Sequence, residues 1–294
     1  RVELQSRIEE QWGVTIGDDV IQQIETVGQL ETLLTKEAVN TPALSKSADV
    51  YPLWPWSVPM RAARMVFFET VIRPLVWILA APRVARPASF QLQAPSLLYA
   101  NHVTSFDVPL LLYGLPGRVR RHTAVAMSGE MLQNWRHGRG NGNLFLNWLA
   151  PLQYFLVTGF FNVFPLPRQS GFRQSFEHAA RAMDRGYHVI VFPEGHRAEN
   201  EQLQPFRPGA GLLWNELRAQ AVPIFLGGIG ELKRTGSNWF HSGRISVHIG
   251  ESIDPQPEWT PQKATSLLEQ ELHRLAAKAT PSSPEQNPGM GVVS

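Results

Sequence analysis

The sequence predicts an α/β fold: a single mixed, largely parallel sheet flanked by helices, with a small helical fragment ahead of it. Three observations carry this. Short apolar runs such as Ser96 to Ala100 and Tyr187 to Val191 read as buried strands. A helical stretch, Gly171 to Arg185, joins a strand at Phe161 to Leu166 to the strand at Tyr187, a βαβ unit expected to cross over right-handed. And 294 residues with 43% hydrophobic content suffice for one sizeable α/β domain plus attachments.

The chain has no Cys, which excludes disulfides, thiol nucleophiles and zinc–thiolate sites and fits a reducing compartment. It begins at Arg1 with no signal peptide, the expectation for part of a longer protein. Its net charge of +2 hides an asymmetry. Residues 1–35 carry two Arg against seven acids, whereas residues 61–140 carry ten Arg and no Lys against three acids. The acidic start reads as short helices at Val2 to Trp12, Val20 to Ile24 and Val27 to Leu34, with Val2, Leu4, Ile8 and Trp12 near helical spacing. Residues 37–58 form a Pro- and Ser-rich linker. Its Tyr51, Trp54 and Trp56 suit a membrane–water boundary, and equally suit packing on the domain surface.

Met60 to Ala81 is predicted as a helix kinked at Pro74. Arg61, Arg64 and Arg73 beside an aromatic-rich face fit a helix lying on anionic lipid, and Glu69 and Arg73 argue against a membrane span. A helix packed on the sheet is the alternative. After a strand at Ser96 to Ala100, Thr104 or Ser105 caps a helix from Phe106 to Leu112. A basic loop follows, Arg118, Arg120, Arg121 and His122, then a strand at Thr123 to Met127. The glycine run at 138–143 follows no strand and reads as a turn, not a nucleotide loop. The uncharged stretch Leu144 to Leu166 is divided at its Pro and Gly into a helix to Val157 and the strand at Phe161. It suits an acyl-chain groove, a dip into one leaflet, or buried core.

Further on, Gly186 stops the helix that Ser170 starts. Phe206 to Gly211 opens a helix through Leu212 to Arg218, its backbone N–H groups offering an anion site or a plain turn. Strands at Val222 to Leu226 and Ile245 to Ile249 follow, and Thr260-Pro261 starts a last helix to Lys278. The tail from Thr280 is expected to be disordered.

Two stretches carry chemistry. In Asn101-His102-Val103-Thr104-Ser105-Phe106-Asp107, Asp107 sits in the first helical turn, within reach of the His102 ring. A carboxylate on one imidazole nitrogen fixes the tautomer and leaves the other as a base. In Phe192-Pro193-Glu194-Gly195-His196-Arg197, Gly195 permits a sharp turn at the carboxyl end of a strand, where open α/β sheets place ligands. Arg197 can grip a phosphate there, and an ion pair with Glu194 is the plainer reading.

Together these stretches resemble the glycerolipid acyltransferase family that includes 1-acylglycerol-3-phosphate acyltransferases. The resemblance covers roughly residues 59–255, within an acyltransferase domain placed at 59–279, and adds Val222-Pro223-Ile224 as a further block. Phe161 to Arg168 matches less well, keeping Arg168 but lacking the family's Gly, and His196 stands where the family has Thr. The resemblance implies acyl transfer from acyl-CoA or acyl carrier protein to a lysophospholipid or glycerol phosphate. His102 is then the base and Asp107 its orienting partner, with Asn101, Arg168, Glu194, Gly195 and Arg197 binding the acceptor. No bound cofactor, metal or nucleic acid is expected. The expected place is the cytoplasmic face of a membrane, held peripherally or monotopically. Residues 1–36 resemble the latter part of an acyl carrier protein domain, which implies an acyl-activating domain upstream; an ordinary acidic hairpin is the alternative. A thioesterase or lysophospholipase using the same site, or a membrane-bound scaffold, are the other functions open at this point.

Overall fold

A computed structural model describes residue 28 and residues 51–279, apart from 89, 93, 140–143, 167–171, 199–201 and 230–244. Apart from residue 28, the carrier-like segment at 1–36 therefore lies outside the described residues, as do most of the linker, the tail from 280 and Arg168. The strands are β1 (Arg83–Ala85), β2 (Leu97–Ala100), β3 (Thr123–Ser128), β4 (Val163–Leu166), β5 (His188–Val191), β6 (Ala221–Gly227) and β7 (Ser246–Ile249). They form one seven-stranded sheet in the order β1-β7-β6-β2-β5-β3-β4. Only the β6–β7 pair is antiparallel, so the predicted mixed, largely parallel sheet is present.

β2 lies at the centre with all four residues buried. Its side chains alternate between two apolar layers, Leu98 and Ala100 facing one and Leu97 and Tyr99 the other. Helices cover both faces, which is why the strand reads as continuously apolar. Phe68, just past helix α1 (Val58–Phe67), with α2 (Arg73–Ala80) and α3 (Asp107–Gly114), supplies the first layer; α7 (Phe172–Asp184), α8 (Gly209–Leu217) and α9 (Pro261–Ala279) the second. Between α3 and α7 come α4 (Gly117–Arg121), α5 (Gly129–Arg136) and α6 (Leu144–Phe161).

Several sequence expectations are corrected. The helix predicted from Met60 begins at Val58 and carries a π-helical turn, Phe68–Ile72, instead of a simple kink at Pro74. Pro74 has no N–H to give a carbonyl one turn back, and the backbone widens just ahead of it. The wider turn also keeps Arg64, Phe68, Ile72, Val76 and Ala80, spaced by four, toward the core; on a regular helix that stripe would drift. Arg64, expected at the surface, is thus buried. Trp54 and Trp56 pack on the domain: they form a 3₁₀ turn, Trp54 stacking on Phe155 and Trp56 on His178. The basic loop at Arg118 to Arg121 is the short helix α4. Helix α6 runs past Val157 to Phe161, and Asn162, at φ 53°, makes the break before β4. Its side-chain amide donates to the Thr123 carbonyl at 3.0 Å, which holds that turn in place.

The last helix starts as expected, Thr260 Oγ1 accepting from Lys263 N at 3.3 Å. α9 crosses α8 closely at Gly211, where an added Cβ would collide with the Pro261 carbonyl and with Thr265. Gly211→Ala is expected to destabilise the domain by about 1–3 kcal/mol, read as a lower urea midpoint at unchanged slope.

Candidate active site

The two stretches singled out in the sequence follow β2 and β5, which are paired in parallel, so both leave the carboxyl edge of the sheet side by side. They are knitted together there. His102 N donates to Glu194 Oε1 at 3.1 Å, Ala198 N donates to the His102 carbonyl at 2.7 Å, and the His102 ring lies 4.5 Å from that of Phe192.

His102 Nδ1 and Asp107 Oδ2 are 2.8 Å apart, the imidazole partly exposed and the carboxylate 1% exposed. Asp107 is fixed by more than the ring. Oδ2 accepts from Val103 N at 2.6 Å, and Oδ1 accepts from Thr104 N at 3.0 Å and from Thr104 Oγ1 at 2.7 Å. The cap differs from the expected one: Thr104 Oγ1 accepts from Phe106 N in a tight turn, and α3 starts at Asp107. A carboxylate so held orients the partly exposed imidazole through Nδ1.

Asn101 and Glu194 both brace the backbone around the site. Asn101 is buried; its Nδ2 donates to the Leu226 carbonyl at 2.9 Å and its Oδ1 accepts from Leu226 N at 2.8 Å, tying the end of β2 to β6. Glu194 is wholly buried and its second oxygen accepts from Gln204 N at 3.3 Å. In place of the expected ion pair to Arg197, both carboxyl oxygens accept from backbone N–H groups. Arg197 is exposed just past the bend. Gly195, at φ 72°, makes the turn, and the side chain of Arg207 lies against it: a Cβ there would sit 2.5 Å from Arg207 Nε. Arg207, fixed by its N–H to the Pro193 carbonyl at 2.9 Å, is a site residue that sequence reasoning missed. Its signal was a lone exposed cation opening a helix ten or so residues past the bend.

Burial pushes the Glu194 carboxyl up to about 7; the His102 and Gln204 N–H groups oppose this and the Asp107 charge adds to it. A carboxyl raised in the folded state gives stability that is full below its ordinary value near 4.5 and lost as pH rises through about 7. Glu194→Gln cannot ionise, so relative to the parent it should gain about 2–3 kcal/mol between pH 4.5 and 8. Urea melts of both proteins across that range check this; a pH-independent difference contradicts it. His178 and His188, both held near 4 by burial, cost stability as pH falls from 6.5, and the paired comparison cancels them.

An imidazole–carboxylate pair at the carboxyl edge of a parallel sheet, with exposed Arg197 and Arg207 at the neighbouring bend, marks the candidate active site of this α/β protein. Residues 81–227, half of the chain, match the Acyltransferase family, and the chain belongs to it. It is 29% identical over 137 residues to "Taffazin" of Dictyostelium discoideum, covering 46% of this chain and 44% of that protein. It is 24% identical over 170 residues to human 1-acyl-sn-glycerol-3-phosphate acyltransferase beta (58% and 55%). Against 1-acyl-sn-glycerol-3-phosphate acyltransferase of Cocos nucifera it is 22% identical over 232 residues (79% and 68%). The chain thus spans about half the length of the first two relatives. The crystal structure of the 1-acyl-sn-glycerophosphate (LPA) acyltransferase PlsC of Thermotoga maritima shares the fold, with a TM-score of 0.51 at 19% identity over 76% of this chain and 81% of that one.

Proposed function

We propose that the protein transfers a fatty acyl group from a thioester, acyl-CoA or acyl carrier protein, to the hydroxyl of a lysophospholipid or glycerol phosphate. The observation that carries this reading is the 2.8 Å contact between His102 Nδ1 and Asp107 Oδ2 beside the Phe192–Gly195 bend. His102 Nε2 takes the hydroxyl proton as the oxygen attacks the thioester carbonyl. The imidazolium is stabilised by Asp107 and returns the proton to the departing thiolate. The acceptor itself is the nucleophile, and the chain has no Gly-x-Ser-x-Gly elbow to supply another. Arg197 and Arg207 hold the acceptor phosphate, with Arg168 the further candidate from the sequence.

The protein works at a membrane surface in this reading. Val66, Val71, Leu75, Trp77 and Ile78 are exposed along α1 and α2, and Trp148, Leu152 and Phe155 on the adjoining α6. The two units touch through Phe67 and Phe160, whose rings are 4.2 Å apart. Among the described residues no helix is long and apolar enough to cross a membrane, which fits docking by these faces. The test is acyl thioester with and without a panel of lysophospholipids, followed by lipid mass spectrometry. Acceptor-dependent thiol release with a diacyl product is expected. Thiol release that ignores acceptor points to a thioesterase, and no release in any arm to a scaffold.

A further inference from the structure

A second cationic site sits at the other end of the sheet. Arg121 lies two residues before the start of β3, and Phe161 closes α6 just before β4, so the cleft they help to line lies where these parallel strands begin. His102 lies where the strands end. The cleft is lined by Arg61, Arg64, Arg120 and Arg121, with Phe68 and Glu69 from the π-helical turn, around an interior of about 20 Å³. Among the described residues Glu69 is the one acid in that lining, and it is already engaged by Arg73 and Arg120.

Two of the guanidinium groups are buried with N–H groups unsatisfied. Arg64 is 6% exposed; its Nε donates to the Gly159 carbonyl at 2.9 Å and its Nη2 to the Pro55 carbonyl at 2.7 Å, while Nη1 has no hydrogen-bond partner. The Arg120 side chain is 9% exposed; it donates to the Leu115 carbonyl and to Glu69 and lies over the Phe68 ring, while Nε has no partner. The Tyr187 hydroxyl lies beside Arg64 and supports its charge, though not in full hydrogen-bond geometry, so the clearest open donor of the pair is Arg120 Nε. Burial draws the Arg64 pKa down to about 10, a cost that an anion in the cleft removes. Buried N–H groups left open on cations are expensive, and a fold tolerates them where a ligand fills them.

We propose that this cleft binds a phosphate group, as a dianionic phosphate monoester or inorganic phosphate, apart from the acceptor site at His102. Four guanidiniums against one neutralised acid match two negative charges better than the single charge of a carboxylate. The interior admits one or two phosphate oxygens, and the remainder of a ligand stays at the mouth beside exposed Met65. That position favours a lipid headgroup as the source.

The experiment is calorimetric titration of the full chain in detergent with dihexanoyl phosphatidic acid and, separately, inorganic phosphate. Two double variants are compared with the parent. Arg61→Ala with Arg121→Ala removes exposed cations of the cleft; Arg197→Ala with Arg207→Ala removes the grip beside His102. The first is expected to weaken binding at one site roughly tenfold or more, the scale of one to two charged hydrogen bonds. It should keep acceptor-dependent transfer, and the second variant should lose transfer while keeping the cleft site. Binding of both probes identifies free phosphate as sufficient; binding of the lipid alone identifies the headgroup as the source. Unchanged binding in the Arg61/Arg121 variant, or loss of all binding in the Arg197/Arg207 variant, overturns the proposal. The latter result leaves the acyl-transfer reading standing, so the two ideas fail separately.

Discussion

His102→Ala is expected to lower the rate of acceptor-dependent thiol release by about 10²–10⁴-fold, the usual worth of a positioned general base. The protein should stay folded, for a reason visible in its bonding. The links from position 102 to the Phe192–Gly195 bend run through its backbone: its N–H to Glu194 and its carbonyl from Ala198. Removing the ring leaves both, and Asp107 keeps its bonds from Val103 and Thr104. The stability cost should be about 1–2 kcal/mol, that of one lost partner on a buried carboxylate. A circular-dichroism melt beside the rate measurement separates a lost base from a lost fold. Activity within a few-fold of the parent would remove His102 from the chemistry.

Asp107→Asn is expected to act on both rate and stability. The carboxylate accepts on both oxygens, from two backbone N–H groups, the Thr104 hydroxyl and the imidazole. An amide has one accepting oxygen and turns an N–H₂ toward one of these donors. If that N–H₂ faces Thr104 N, the turn before α3 is strained; if it faces His102 Nδ1, it fixes the tautomer with the proton on the wrong nitrogen. Either way the imidazolium loses its counter-charge. The same change in a serine-protease triad costs about 10⁴-fold in turnover, and a loss of that order is expected here. Stability should fall by about 1–3 kcal/mol, unlike the smaller effect of His102→Ala. Full turnover in Asp107→Asn contradicts the pairing.

The His102–Asp107 pair was legible in the sequence because a strand, a short turn and a helix bring residues five apart together without help from the rest of the chain. The bend at Gly195 was legible for the same local reason. The roles of Asn101 and Glu194 were not, since each bonds backbone 125 and 92 positions away, and no spacing encodes such a partner. Arg207 was hidden because the turn at Phe206 to Gly211 drew attention to its backbone N–H groups, whereas its side chain is what lies at the bend. The central strands and their parallel pairing came through well, buried runs being the plainest signal in an α/β chain. The edge strand β1 did not: it is three exposed residues with no apolar pattern. The burial of Arg64 had a visible cue, its place at the head of the stripe Phe68, Ile72, Val76 and Ala80, but a cation at the first position reads as surface until the stripe is followed through.

The central claim is that the incoming hydroxyl, not a protein side chain, attacks the thioester. Thr104 is the nearest rival nucleophile in sequence, and its hydroxyl is spent on Asp107 Oδ1 at 2.7 Å. Intact-protein mass spectrometry after a quenched single turnover with acyl thioester, run with and without lysophospholipid, tests this directly. An unmodified protein mass is expected in both arms, with diacyl product only when acceptor is present. An acyl adduct on Thr104 or Ser105 that acceptor then discharges contradicts it.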